Sequence, residues 1–404
     1  MENSLRYLDL DRLLDISTAY MISGISAVTV FSDIAVQQKV KLLAYLLHGV
    51  YLMSIAIVAL VLIYHVVFLK KKTLMIVFSG ILAVALFTIF NMIHPNYNEI
   101  FSHFIISKFL KHGYVLFILV LLEPNYEKVV KYCCSISRIT IIIFSSILFL
   151  TEWFANDYLT VSDNLGLGVV IVLGWAIYKG SIVDYAIGVF GLLAMILFGD
   201  RAHIVCILGA FLLWGMKKIP SNPYAKRFRV IFCIVIIGIA VAFFFYADKI
   251  IIGLTVFLSN IGVDSRNISY ILDARLSDSS GRDIFYANIW NAIKKNPFGY
   301  GILGDVILNY ENGITSIITG AYTHNGYLQA LCEFGVFIGN AIWIWIIVNA
   351  IRIYKTITES ETYILYVALC CLGVFILMFS YSYWICVPFW GFLALLINEN
   401  KKET

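Results

Sequence analysis

Arg201, Arg282 and His324 are the residues of this 404-residue chain whose types and positions could do chemistry together. Arg282 stands in SSGRDIFYANIWNAIKKNPFGYGILG (Ser279–Gly304). There Ser280-x-x-Asp283 reads as a capping box and Lys294-Lys295-Asn296-Pro297 as a helix stop, which predicts a helix over Ser280–Lys295. Arg282 falls in its first turn, where a cation opposes the helix dipole at a cost of roughly a few tenths of a kcal/mol. An arginine fork beside free helix N–H groups makes sense if an anion sits there. Arg201 lies in LFGDRAHIVCILG (Leu197–Gly209), at the junction of two apolar runs with almost no connecting loop. A charge in that position needs a partner or a watery cavity. An ion pair with Asp200 or a snorkelling side chain is the plain alternative.

His324 sits in Thr323-His324-Asn325, at the mouth of another apolar run that Thr323 or Asn325 could cap. A helix N-terminus biases imidazole toward its neutral form, which a general base requires. A lone histidine at a membrane interface can equally be structural. Beyond it, Asn325, Gln329, Glu333 and Asn340 mark a polar stripe at spacings of 4, 4 and 7. Such a stripe points into a bundle, so Glu333 is either a buried acid bonded to Gln329 or part of a cavity.

The elements that must position these residues are membrane helices. The chain is 61% hydrophobic and 13% charged, with a mean hydropathy of +0.88, against about 25% charged in soluble chains. Apolar runs give twelve candidate spans, at 13–31, 42–66, 74–93, 104–122, 139–151, 165–178, 181–198, 202–216, 230–247, 325–351, 362–380 and 384–397. With the N-terminus inside, the internal segments collect 18 of the 29 Lys and Arg residues, including Lys70–Lys72 and the group from Lys217 to Arg229. The short outer loops keep only Lys39, Lys41, Arg201 and the pair Lys108/Lys111 beside a span. Both termini are therefore expected in the cytoplasm, and the whole of 1–404 reads as one polytopic domain.

The first span shows no cleavage pattern and reads as a retained anchor. Six of the eight cysteines fall in spans and two face the cytoplasm, so no disulfide framework or metal pattern follows. A net charge of +4 spread over short loops does not suggest nucleic acid. The long extracytoplasmic segment, 248–324 between spans nine and ten, stands out against this scaffold. Its predicted helix is amphipathic, with Phe285, Ile289 and Ile293 at i, i+4, i+8 and Tyr286 and Trp290 alongside. That pattern suits a helix lying on the bilayer interface. Pro297, Gly299, Gly301 and Gly304 then give a tight turn.

The pattern SGR…W…NPFGYG, then THNGYLQ…EFGVFIG, preceded by GDR at a span end, resembles the O-antigen polymerase/ligase superfamily. The motifs cover about Asp200–Leu208 and Ser279–Gly339; elsewhere the likeness lies in span count and loop position. Asp200 stands where a serine is common and Ala202 where glycine often follows the arginine, which weakens the match at Arg201. The resemblance implies an integral-membrane glycosyltransferase of the GT-C type, metal-independent, cofactor-free and inverting if the attack is single-step. It implies polyprenyl-diphosphate-linked oligosaccharides as donor and acceptor, with Arg201 and Arg282 holding the diphosphate and His324 serving the acceptor. Asn325, Gln329 and Glu333 would support them; Arg266 and Arg275 are extra candidates. The expected setting is the bacterial cytoplasmic membrane with the site facing outward, beside a flippase and a chain-length regulator of the same pathway.

Within that setting a polymerase of capsule, O-antigen or exopolysaccharide repeats is the reading chosen. A ligase moving finished glycan to lipid, cell wall or protein is the nearest alternative. A flippase or transporter of lipid-linked sugars would call for inverted repeats and a charged central cavity, which the sequence does not display. A structural membrane subunit would leave Arg201, Arg282 and His324 far apart.

Overall fold

The computed structural model describes residues 10–93, 97–150, 158–198, 201–218, parts of 231–257, 282–315 and 320–402. These residues form helices and, among them, no strand. In chain order they are α1 (Leu10–Ser23), α2 (Ile25–Gln37), α3 (Lys41–Phe68), α4 (Thr73–Ile93), α5 (Asn98–Leu121), α6 (Tyr126–Leu150) and α7 (Tyr158–Lys179). Then come α8 (Ile182–Phe198), α9 (Arg201–Lys218), α10 (Arg282–Lys295), α11 (Gly304–Glu311), α12 (Gly326–Thr356), α13 (Ser360–Met378) and α14 (Val387–Lys402).

Seven helices among the described residues are long and apolar enough to cross a membrane, or eight if α1 and α2, bent by 51° at Gly24, form one broken span. Two shorter apolar helices lie within α8 and α9. This is a multi-pass helical membrane architecture, counted more sparingly than the twelve runs suggest; the run at 230–247 is described only in separate helical pieces, the longest at 233–239. Small residues let the helices approach closely. A Cβ on Gly188 of α8 would stand 2.4 Å from Leu173 Cδ2 of α7. Across α6 and α8, Arg138 clasps Asp184 through Nε at 2.5 Å and a terminal nitrogen at 2.8 Å.

Two elements depart from the expected regular spans. Ser102–Gly113 of α5 is a π-helix, and Lys108 and Lys111 lie inside that span rather than beside it. The other departure is in α12, which is interrupted at Gly335 (φ 81°, ψ 167°). Residues 336–356 alone reach about 31 Å at ~1.5 Å per residue, which matches a hydrocarbon core of about 30 Å. The arm Gly326–Phe334 is thus a separate piece carrying Asn325, Gln329 and Glu333, with Asn340 beyond the break. The expected single polar stripe is divided, although Tyr327 still donates to Asn340 Oδ1 at 2.8 Å.

The break exists because the NPFGYG turn is built against it. Tyr300 N–H donates to the Cys332 carbonyl at 2.7 Å and Gly301 N–H to that of Glu333 at 2.9 Å, while Val336 N–H donates to Pro297 O at 2.8 Å. Backbone groups orphaned by the interruption are satisfied by the turn, as burial demands. The helix α10 then lays Ile289 and Ile293 on Leu331 and Cys332 of the arm. Trp290 is 47% exposed, with the Lys294 ammonium 5.8 Å from its ring. The structure describes this helix from Arg282, so the cap at Ser280 lies outside the described residues.

Candidate active site

The site is organised by the short connection between α13 and α14, Met378–Trp384. The Phe379 carbonyl accepts a hydrogen bond from an Arg282 terminal nitrogen at 2.9 Å, and the next carbonyl, Ser380, meets His324 Nδ1 at 3.1 Å. Sequence reasoning named both side chains; the structure brings them together on consecutive carbonyls. Arg282 spends one of its guanidinium donors in this way and has no carboxylate at ion-pair distance among the described residues. The rest of the fork remains for an anion.

His324 is held more elaborately. Its backbone is left-handed (φ 56°), a conformation that costs a non-glycine residue about 1–2 kcal/mol and collects at functional sites. Its ring lies 4.1 Å from that of Tyr322 and edge-on to Phe285 at 5.7 Å. Because the Ser380 carbonyl can only accept, Nδ1 carries the proton in the neutral ring and Nε2 the lone pair. Burial, with a smaller push from the Arg282 charge, lowers the imidazole pKa to about 4 against the pull of the Ser380 carbonyl. The free site therefore holds neutral histidine at pH 7, with its basic nitrogen fixed in orientation.

The supporting residues pack around this pair. Asn325 caps the arm by accepting from Leu328 N–H at 3.0 Å and reaches the Met378 carbonyl at 3.2 Å. Gln329 donates to Glu333 Oε1 and to Ser382 Oγ, both at 2.9 Å. Glu333 is buried and accepts from the Tyr383 hydroxyl and from Trp384 Nε1 at 3.0 Å. Of the two readings of Glu333, this favours the buried acid bonded to Gln329, at the floor of the site.

A second buried acid, Asp305, escaped the sequence reading, which stopped at the glycine turn just before it. Asp305 accepts from the backbone N–H and the hydroxyl of Thr323 at 2.9 and 2.7 Å, fixing the residue before His324. Burial raises its pKa while these bonds pull the other way. Gln329 Nε2 links it to Glu333, lying 3.5 Å from Asp305 Oδ1 and 2.9 Å from Glu333 Oε1.

The third named residue, Arg201, begins α9. Its side chain, Asp200, Arg266 and Arg275 lie outside the described residues, and so does any distance from the Arg201 guanidinium to His324. Two residues along α9, His203 is buried and its Nε2 meets Asp163 Oδ1 of α7 at 2.7 Å. The same oxygen accepts the Tyr381 hydroxyl, and the rings of His203 and Tyr381 meet edge-on at 6.1 Å. The start of α9 is thereby tied to the connection that holds Arg282 and His324. His203 fits only because residue 166 lacks a side chain; a Cβ there would stand 2.8 Å from its ring. The sequence signal for this trio was slight: an aspartate, a histidine and a tyrosine at three apolar-run ends.

Residues 186–344 match the family model described as O-antigen ligase. That match supports the resemblance of this part of the chain to the O-antigen polymerase/ligase superfamily. Neither a curated protein nor a solved structure matches. The superfamily match runs from α8 into α12 and contains Arg201, Arg282, Asp305 and His324. It leaves out Asp163 and Met378–Trp384, which carry the other half of the hydrogen bonds. The superfamily implies glycan transfer of the ligase or polymerase kind.

Proposed function

We propose that this protein is a polysaccharide polymerase at the outer face of the bacterial cytoplasmic membrane, moving a growing glycan from a polyprenyl-diphosphate carrier to the sugar of another lipid-linked unit. The observation that carries this reading is the pairing of an arginine fork lacking a carboxylate partner among the described residues with an oriented, neutral histidine on adjacent carbonyls. Arg282, joined by Arg201, holds the diphosphate. Nε2 of His324 takes the proton of the acceptor hydroxyl as its oxygen attacks the anomeric carbon. The bond from that carbon to the diphosphate oxygen breaks, and its electron pair leaves with the diphosphate, where arginine charge stabilises it. In a single displacement the anomeric configuration inverts. The leaving group needs positive charge more than a proton, so no metal step is required by this scheme.

Purified protein given a lipid-linked repeat unit tests the reading. A polymerase lengthens the glycan on its carrier into a ladder; a ligase leaves carrier-linked units unextended and moves them whole to a different acceptor. His324→Ala is expected to abolish product while donor binding persists. A fully active His324→Ala variant would remove the histidine from the mechanism.

A further inference from the structure

The π-helical part of α5 carries four polar residues that the proposed mechanism does not use: His103, Lys108, Lys111 and His112. Bonding from i to i+5 widens the turn, so His103, Lys108 and His112, spaced by five and four, share one face. Lys108 and Lys111 are exposed, and neither has a carboxylate at ion-pair distance among the described residues. Lys111 lies about 15 Å along the helix from Leu121, half the thickness of a ~30 Å hydrocarbon core. Intramembrane lysines are costly and normally serve an ion or substrate. His112 Nε2 meets the Tyr51 hydroxyl of α3 at 3.3 Å, and His48 stacks on Tyr51 at 6.1 Å, which extends the polar wall to a second helix.

The neighbouring face of the same π-helix touches the candidate active site. Phe104 is edge-on to Tyr322 at 6.1 Å, and the Tyr322 ring is 4.1 Å from that of His324. Phe109 meets Trp384, the donor to Glu333, edge-on at 5.4 Å. One helix thus separates a lipid-facing cationic stripe from the base.

We propose that His103, Lys108, Lys111 and His112 form a lateral anion site for the diphosphate of a second polyprenyl-linked glycan, the acceptor's carrier. This rests on the polymerase reading, in which each transfer engages two lipid diphosphates and Arg282 serves only one. Lys111 stands on the adjoining face, from which its long side chain and that of Lys108 can both reach one anion. The wall shared with Tyr322 lets the attached sugar reach His324.

The test uses the full-length protein in phosphatidylcholine nanodiscs with glycan-free undecaprenyl diphosphate as probe, bound equivalents being counted by native mass spectrometry. Wild type is expected to hold two equivalents. Lys108→Gln/Lys111→Gln should hold one, with an affinity loss on the order of tenfold or more at the other site. Arg282→Ala should remove the remaining one. Lys108→Arg/Lys111→Arg should retain two, showing that charge and not folding is at issue. Two equivalents in the glutamine variant, with one lost in Arg282→Ala, would overturn the lateral site alone. Displacement of the lysine-dependent equivalent by added phosphatidylglycerol would assign the lysines to bulk lipid and overturn it as well. No binding to wild type would sink both this site and the polyprenyl-diphosphate reading.

Discussion

Gly299 and Gly335 meet backbone to backbone. A Cβ on Gly299 would stand 2.6 Å from the Gly335 nitrogen, and one on Gly335 would stand 2.6 Å from the Phe298 carbonyl carbon. Both have positive φ, 95° and 81°. This contact seats the NPFGYG turn in the break of α12 and so sets the height of the arm on which Gln329 and Glu333 stand.

Substituting either glycine by alanine should therefore cost about 1–3 kcal/mol from conformation alone, plus a backbone clash that cannot be relieved by a rotamer. Gly301→Ala is the internal control, because Gly301 also has positive φ but nothing within 4 Å of its would-be Cβ. Thermal unfolding in detergent should rank Gly299→Ala and Gly335→Ala well below Gly301→Ala. Equal effects would show that only conformation matters here.

Arg282→Lys should recover part of the activity lost in Arg282→Ala, since an ammonium supplies charge without the planar fork. Loss of the fork altogether should lower kcat by about 10²-fold or more and weaken donor binding. Initial rates over a range of donor concentrations separate the two effects.

A depressed His324 pKa has consequences in two pH windows. In the free protein the group stays neutral down to about pH 4, so the acid limb of kcat/KM should fall near there. Bound diphosphate cancels the Arg282 charge that pushes the pKa down, so the acid limb of kcat should lie at higher pH. For stability, the folded value lies below the ordinary 6.5. The histidine's contribution is complete above about 6.5 and is lost as pH falls toward 4. His324→Gln should flatten the stability profile.

Tyr381→Phe should act through position. Removing the hydroxyl frees Asp163 from the α13–α14 connection but leaves Arg282 and His324 chemically intact, so kcat should drop roughly tenfold with little change in donor affinity. Gly166→Ala, which displaces the His203 ring, should reproduce the same split between kcat and KM. A change confined to KM in both variants would assign the trio to donor binding instead.

Much of the scaffold is legible in the sequence because hydropathy and caps speak locally. The α10 helix shows in the periodicity of Phe285, Ile289 and Ile293, and His324 shows as a polar residue at a run's edge. The interruption of α12 does not show, because CEFGVFIG reads as continuous span and its cause is the turn at Pro297–Gly299, far back in the chain, pressing on Gly335. The π-helix of α5 hides for another reason: α and π differ in hydrogen-bond register, which residue type barely encodes. At Trp290 the periodicity leaves bundle and lipid both open, and packing against the Leu331 and Cys332 face selects Ile289 and Ile293 instead.

Every residue from Met378 to Trp384 touches the site, but the first three do so through main-chain oxygens. Oxygens of that kind are the same whatever side chain follows them. Exchanging Phe379 or Ser380 for another residue leaves their carbonyls able to receive Arg282 and His324. Inserting one residue among them would shift each attachment to the wrong neighbour, from the Asn325 cap to the Glu333 floor. Anyone redesigning this protein is thus free with the spelling of that stretch and bound by its length.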